Sequence, residues 1–594
     1  MTVLQELVAL YDQRAEREGW AAPGFSTEKI GGAIVLRQDG TVDSISPLMA
    51  PDQKGKLQPR RMNVPSAVKR TAGVKPNLFW DKSAYTLGIT GTEDGPGQRA
   101  RTAREHEAFR AAHLELLKGA THPAMIALAR FCKTWDPDGF TALDAETLVD
   151  QNLVFRTEGG TFLHELAEAK TLLSAGADDK AMCLVTGQSA PVARLHPSIK
   201  GVMGAQRSGA ALVSFNDSAY ESHGKKQGEN APVGEYAAFA YGTALNALLA
   251  KGSGNCIRIG DDTVAFWARG EGELGAEDAA LLALTGDVAD QKDGRGEAEL
   301  AEAMKALAAG SEAGPLREDT RVFVLGLSPN AARLAVRYWH TGTMGDLARN
   351  AARFWAECAV EPSPFARDRA RMPPKPWALL YDLAAQRDAK NIPKPLGGGL
   401  MRAILTGCDY PATLMSGILA RLRVEGEPNP KKVGNMDGRR AAMLRAVLIR
   451  NYKREVPMAL DETCADEAYL LGRLFAAYAY AERSYQERGA SLRQKFMGAA
   501  SATPARVFPV LMRGYEHNHA SLRKAGGAKA GSGVRADRAI ADIMELRGGA
   551  DLPATLPLEA QSLFFIGFYH QDRAFYRKAE TGQPEIAQTE GEDA

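Results

Sequence analysis

Val324-Leu-Gly-Leu-Ser-Pro-Asn-Ala-Ala-Arg-Leu-Ala-Val-Arg-Tyr-Trp-His340 reads as a buried strand, a Pro-Asn break and then a helix. On that reading Ser328 or Asn330 caps the helix, Leu334 and Trp339 face a core, and Arg333 and Arg337 share the outer face four residues apart. Strand and helix signals alternate on both sides of the run. Residues 33–37 and 41–45, joined through Asp39-Gly40, predict a hairpin, and residues 256–259 and 263–267 predict a second around Gly260-Asp261-Asp262. Residues 212–215 and 321–325 are further strands, and 102–117 and 345–358 are helices. Without regular βαβ alternation, this is an α+β pattern.

The chain has 594 residues, too many for one ordinary core, so two or three domains are expected. Residues 1–372 form the mixed α+β N-terminal domain, interrupted by an acidic, Ala/Gly-rich helical insertion with flexible ends at about 270–314. Prolines at 362, 364, 373, 374 and 376 mark a boundary, and residues 373–400 read as a Pro/Gly-rich joint that includes Gly397-Gly398-Gly399. Beyond it, helices at 401–422, 439–453, 466–483, 504–525 and 558–578 predict an all-α C-terminal bundle, with a capping-box variant at Thr463 to Asp466. Residues 579–594 read as an acidic, flexible tail.

Hydrophobic residues are 45% and charged residues 24% of the chain, the proportions of a soluble globular protein. Its lack of a long uncharged apolar run predicts no membrane span. The first ten residues read as an amphipathic helix, with Leu4, Leu7, Val8 and Tyr11 on one side, rather than as a signal peptide. The six cysteines are scattered with no C-x-x-C pair, which predicts reduced thiols in a cytoplasm and argues against zinc. Net charge is +1, but acidic stretches at 269–314 and after Lys578 enclose strongly basic ones.

No motif for catalysis stands out. There is no G-x-x-x-x-G-K-[ST], H-E-x-x-H or G-x-S-x-G. His517-Asn518-His519 falls on a predicted helix, where residues two apart point in different directions. Asp261-Asp262 reads as ordinary turn chemistry, and Cys183 with His196 is too sparse for a metal. No catalytic residue, metal or cofactor is therefore expected.

Three basic stretches suit nucleic acid. Arg60, Arg61, Asn63, Lys69, Arg70, Lys75 and Asn77 fall in a Pro/Gly-punctuated loop, where Lys and Arg can neutralise phosphates and Asn can read base edges; a solvated basic loop is the equal alternative. Gln206, Arg207, Asn216, Lys225, Lys226, Gln227 and Asn230 follow in a second loop, although Asn216 and Asn230 read equally well as side-chain-capped turns. In the third, Arg439, Arg440, Arg450, Lys453 and Arg454 share a helical arc of about 140° that also holds Met443 and Val447. It reads first as a solvated or subunit-facing surface, and second as a guide for a strand backbone.

Several of these segments, in order, resemble one family. They are Lys69-Arg-Thr-Ala-Gly-Val-Lys-Pro-Asn-Leu-Phe-Trp-Asp81 with Tyr85-Thr-Leu-Gly88, Cys183-Leu-Val-Thr-Gly187 with Ala193-Arg-Leu-His-Pro197, Leu212-Val-Ser-Phe-Asn216 and the 224–232 loop. Ala244-Leu-Asn-Ala-Leu-Leu249, the opening run, Tyr469-Leu-Leu-Gly-Arg-Leu-Phe475 and Ser562-Leu-Phe-Phe-Ile-Gly-Phe-Tyr-His-Gln571 continue the set. Together they resemble the large subunit of the type I-C (Dvulg subtype) CRISPR Cascade complex, the Cas-eight family, subtype c, over essentially the whole chain. The resemblance implies a non-catalytic subunit that recognises a protospacer-adjacent motif in double-stranded DNA, nucleates unwinding and R-loop formation, and helps hold the non-target strand. It implies partners: backbone subunits, a subunit on the crRNA 5' end, small subunits that the C-terminal bundle resembles, and a separate helicase–nuclease.

Lys75 and Asn77 are the foremost motif readers on this reading, with residues 206–230 as their partner loop. Trp80 stands where the resemblance leads one to expect a smaller residue. Met458 is the favoured internal start for a separate small subunit, with Met443 and Met497 as rivals. Two other readings stay open on residues alone: a metal-dependent nuclease or deaminase acting on nucleic acid, and a scaffold subunit without DNA contact.

Overall fold

Asp39 and Gly40 close the first hairpin as their chemistry requires. The Asp39 carboxylate accepts from the Thr41 N–H at 2.9 Å, and Gly40 turns the chain at φ 89°. A Cβ on Gly40 would stand 2.5 Å from the Arg130 Cβ, so only glycine fits.

The computed structural model describes residues 2–576 apart from 52–54, 69, 71–72, 94–98, 144, 174–179, 260–261, 271–274, 286–301, 312–315, 364–374, 389–390, 426–435 and 486–490. Lys69, Asp261, the prolines at 364, 373 and 374 and the predicted acidic tail lie outside the described residues. Two compact units emerge. The first comprises Met1–Gly201, Ala205–Ser253 and Asn330–Leu334, and the second comprises Val202–Gly204, Gly254–Pro329 and Ala335–Ala594.

The first unit begins with α1 (Val3–Arg14), β1 (Phe25–Ile30), β2 (Gly32–Leu36), β3 (Val42–Pro47), β4 (Met49–Pro51) and β5 (Leu57–Pro65). Then come β6 (Trp80–Lys82), the single turn α2 (Ser83–Thr86), β7 (Ile89–Glu93), β8 (Arg99–Arg101), α3 (Ala103–Leu116) and α4 (Pro123–Thr134). It ends with β9 (Asn152–Thr157), α5 (Ala167–Leu173), β10 (Lys180–Met182), β11 (Ser189–Pro191), β12 (Ser198–Ile199), β13 (Ala210–Ala211) and α6 (Glu235–Leu248). Thr2 and Gln5 make a reciprocal capping box on α1. A four-stranded sheet runs β3-β2-β9-β6 and a three-stranded one β1-β5-β4.

Strand β2 is buried along its whole length because both of its faces are covered. Ile34 and Leu36 join a core with Phe109, Phe131 and Phe155, while Ala33 points the other way, into a cluster with Ile30, Met62, Val64, Trp80 and Val154. Trp80 fills that second cluster, and its indole N–H donates to the Pro65 carbonyl at 2.7 Å. The predicted strand at 212–215 is corrected: pairing stops at Ala211, and residues 212–217 are irregular.

In the second unit, β14 (Cys256–Ile259), β15 (Asp262–Arg269), β16 (Arg321–Asn330) and β17 (Arg333–Thr343) are neighbours in that order. The opening run is therefore a strand pair, and the expected strand-to-helix transition is corrected. Ala331 takes a left-handed φ of 52° between β16 and β17, and residues 336–343 are rich in β-branched and aromatic groups that suit a pleated surface. Ser328 is buried within β16 and Asn330 ends it, so neither caps a helix. Trp339 stacks on Phe323 at 5.8 Å and Phe323 on Trp267 at 5.3 Å, a cross-strand row of rings.

Among the described residues, two helices lie between β15 and β16: α7 (Gly275–Thr285) and α8 at 302–308. Ala280, Leu281, Met304 and Leu307 are buried in the main core, so the described parts of the predicted insertion pack as structure. The later helices begin with α9 (Met344–Glu357), α10 (Pro376–Leu383), α11 (Lys394–Thr406) and α12 (Ala412–Val424). After them come α13 (Met436–Tyr452), α14 (Glu467–Tyr485), α15 (Leu492–Ala502), α16 (Pro504–Ala525), α17 (Gly527–Arg547) and α18 (Leu558–Ala574). Val264, Phe266, Val322 and Val324 share one core with these helices. That is why the division falls near residue 253 rather than at the predicted 372.

The predicted 401–422 helix is two helices, broken by Gly407 at φ 69° and by Pro411. The glycine triplet lies inside α11 rather than in a joint, since a Cβ on Gly399 would stand 2.7 Å from Pro411. The cap of α14 is Asp466, whose carboxylate accepts from the Ala468 and Tyr469 N–H groups at 3.0 and 3.2 Å, rather than Thr463. Helices α14 and α18 cross in close backbone contact: a Cβ on Gly472 would lie 1.9 Å from the Phe564 carbonyl oxygen, and one on Gly567 would lie 2.2 Å from that of Tyr469. No helix among the described residues is long and apolar enough to cross a membrane.

Candidate nucleic-acid interface

Strand β5 carries the first basic residues, so the predicted loop there is corrected to a strand. Arg60 and Arg61 are exposed opposite Ile30 and Lys29. Asn63 is bound in place: its amide donates to the Gly19 carbonyl at 3.1 Å, and its oxygen accepts from the Thr27 hydroxyl at 2.7 Å.

The segment between β5 and β6 is organised by one carboxylate. Asp81 is 1% exposed and accepts from the Asn77 N–H and its own neighbour's, Lys82, both at 2.8 Å. Arg70 pairs with it, donates to the Lys75 carbonyl at 2.7 Å and lies 4.1 Å over the Tyr85 ring. Burial pushes the Asp81 carboxyl up, against the pull of these bonds and of Arg70. Asn77 is buried, and its side-chain oxygen accepts from the Val68 N–H at 2.9 Å. Phe79, at a left-handed φ of 64°, donates its N–H to His113 Nε2 at 2.8 Å. Nδ1 of that ring then donates to the Phe109 carbonyl at 2.9 Å, and burial lowers the His113 pKa to about 4, so the ring is neutral. Arg70 and Asn77 thus build the segment, while Lys75 stands exposed on it.

The second loop is framed in the same manner. Asn230 accepts from the Ser222 N–H at 3.0 Å and donates to the Lys225 and Gln227 carbonyls at 3.2 and 3.0 Å, which is the capped-turn reading. Gly228 donates to the Arg194 carbonyl at 3.1 Å, and a Cβ there would lie 2.1 Å from the Ala193 carbonyl oxygen. His223 and Gln227 both hold left-handed backbone, at φ 53° and 49°. On this frame Gln206, Arg207, Lys225 and Lys226 are exposed.

Asn216 accepts from the Arg333 guanidinium at 2.6 Å, and Arg333 lies 4.0 Å over the Tyr220 ring, itself 47% exposed. Sequence reading missed Tyr220 and the exposed Arg194. The signal for Arg194 was present, since it lies in the Ala193–Pro197 segment that carries the resemblance. Arg337 lies instead in the second unit, 3.7 Å from Asp262, which is buried at the start of β15 rather than in a turn.

The third basic stretch is corrected outright. Arg439, Arg440 and Arg450 are interior, along with Arg445, Met443 and Val447. Arg439 grips Asp382 at 2.5 and 3.0 Å, and Arg440 reaches Glu425 at 2.5 Å and the Asp382 carbonyl at 2.7 Å. Arg450, fully buried, binds Glu357 at 2.7 Å and the Ala403 and Cys408 carbonyls at 2.7 and 3.0 Å. Arc geometry alone could not reveal this, because the acidic partners come from α10, α12 or its end, and α9. Only Lys453 is exposed, and Arg454 lies 3.5 Å from Asp466.

Among the described residues, no group of three or more His, Cys, Asp and Glu is placed to hold a metal ion. The family model described as CRISPR-associated protein (Cas_Csd1) matches residues 7–576. The chain belongs to the Cas_Csd1 family. The match begins within α1 and ends just past α18, so the Cas_Csd1 region takes in both compact units. No curated protein matches the chain.

Proposed function

We propose that the chain is the non-catalytic large subunit of a crRNA-guided type I-C effector complex. In this reading it recognises the protospacer-adjacent motif in double-stranded DNA, nucleates unwinding and the R-loop, and helps hold the non-target strand. It then presents the opened DNA to a separate helicase–nuclease. The proposed partners are the backbone subunits, the subunit on the crRNA 5' end and the small subunits. The observation that carries the proposal is the family match from residue 7 to residue 576.

The residues that make contact are proposed from exposure. Arg60, Arg61, Lys75, Gln206, Arg207, Lys225 and Lys226 project from frames whose own polar groups are occupied. Cations of this kind neutralise phosphates, and Gln206 is the exposed amide able to read a base edge. The test is Lys75→Ala and Lys225→Ala in the assembled complex, titrated against target duplex at several salt concentrations. Each should weaken binding across motif sequences and reduce the salt slope by about 1. Unchanged target binding by both variants sinks the site assignment, and metal-dependent cleavage by the isolated chain sinks the non-catalytic reading.

A further inference from the structure

Strand β5 pairs antiparallel with β1, and the register sets Lys29 directly across from Arg61. Side chains at paired positions leave the same face of a sheet, their Cβ atoms about 5 Å apart. Opposite charges stabilise such a pair, whereas like charges set across from each other are destabilising. Both cations are exposed, and neither side chain has a hydrogen bond or an ion pair among the described residues. Glu28 adjoins Lys29, but successive strand residues point to opposite faces. It is paired with Met62, on the side where Ile30, Met62 and Val64 enter a core, so its carboxylate leaves the other face from the two cations.

The neighbouring pairs narrow what would neutralise them. Thr27 and Asn63, next along the same face, are closed on each other: the Thr27 hydroxyl donates to the Asn63 oxygen at 2.7 Å. In the other direction Met49 lies across from Pro59 and Pro51 across from Leu57. By alternation these share the face of Arg61. Met49 is 41% exposed and Leu57 63%. Two residues span about 7 Å of strand, so apolar surface begins about 7 Å from the cations and continues for a similar distance. A free inorganic anion would satisfy the cations and leave that strip in water. A nucleic-acid strand laid along β5 would use both, with a phosphate against the cations and sugar faces on Met49 and Leu57.

We propose that Lys29 and Arg61 clamp one phosphodiester of a nucleic-acid strand that runs along β5. The inference rests on reading the chain as a subunit that contacts nucleic acid, and it adds Lys29, which sequence reading missed because its partner comes from another strand. The unfavourable cation pair is retained in the free protein and relieved when the phosphate arrives.

The test is fluorescence anisotropy of the full chain with a labelled DNA duplex and a labelled single-stranded RNA, each over a salt series. Lys29→Gln and Arg61→Gln should each weaken binding roughly tenfold, and Lys29→Arg should retain it. The double Gln variant should lower the salt slope by about 1 in all, because the two cations serve one phosphate. Lys29→Glu should also weaken binding while raising the melting temperature by about 1–3 °C, since it turns a repelling pair into an attracting one. Loss on the duplex alone identifies target DNA as the strand, and loss on the RNA alone identifies the guide; either supports the clamp. Unchanged binding of both polymers, a slope loss of about 2 in the double variant, or a lowered melting temperature in Lys29→Glu overturns the proposal. Lys75→Ala and Lys225→Ala in the assembled complex are judged separately. If they weaken target binding and the Lys29 variants do not, the clamp alone fails; the reverse result counts against the site assignment made above.

Discussion

Glu357 holds the centre of the buried arginine network, and removing it should unfold the second unit before the first. Its carboxylate accepts from Arg450 at 2.7 Å, from Arg353 at 2.9 Å and from the Tyr410 hydroxyl at 2.7 Å. Arg450 is 0% exposed and lies 4.1 Å over the Tyr410 ring, so Glu357→Ala leaves a desolvated guanidinium without its counter-charge. Breaking a buried pair in this way costs about 3–5 kcal/mol. The second unit contains roughly 340 residues, and at about 2.1 cal/mol/K per residue its unfolding entropy is about 0.7 kcal/mol/K. Its melting temperature should therefore drop by about 4–7 °C in calorimetry. Arg450→Ala should give a loss of the same order, and the double variant should lose less than the sum of the two. If Arg450→Ala leaves the melting temperature unchanged yet flattens the salt dependence of DNA binding, Arg450 is a surface contact and the interior reading is wrong.

Asn77→Ala should cost about 1–3 kcal/mol through the orphaned Val68 N–H, whereas Lys75→Ala should leave the melting temperature unchanged; equal loss from both would refute the division of roles. Burial lowers His113 and His164 to about 4 and His570 to about 3. Each takes up a proton near pH 6.5 when unfolded but not when folded, so stability is full above that pH and declines as pH falls toward 4. At about pH 5 the loss should be about 2 kcal/mol per ring, and a melting temperature that holds or rises between about pH 7 and 5 would contradict this. If Met458 is an internal start, complexes made from the native gene should contain a product carrying α14 to α18, and mass spectrometry finding no such chain would end the idea.

The hairpins at Asp39-Gly40 and residues 256–267 were legible because turn chemistry and alternating apolar residues are local signals. Most C-terminal helices were legible by their apolar periodicity, and α16 began and ended where predicted, at Pro504 and Ala525. The run 324–340 misled because Leu334, Tyr338 and the paired arginines fit a helical period as well as an extended one. Pairing along the neighbouring strands decides between them. At the candidate interface, charge was legible but exposure was not. Arg439 and Arg60 look alike in sequence, and only the arrival of Asp382 from another helix sends one inward.

The reciprocal approach of Gly472 and Gly567 fixes more than a distance. Each backbone touches the other at the one place where a side chain is missing, so the two helices can sit in a single longitudinal setting, as a ratchet sits in its notch. A slip by one residue would bring Leu471 or Arg473 against Phe564, and Ile566 or Phe568 against Tyr469. Alanine, serine and valine should therefore be refused at either position in order of size, with polarity making little difference. The alignment of the whole C-terminal bundle is specified by two atoms that are absent.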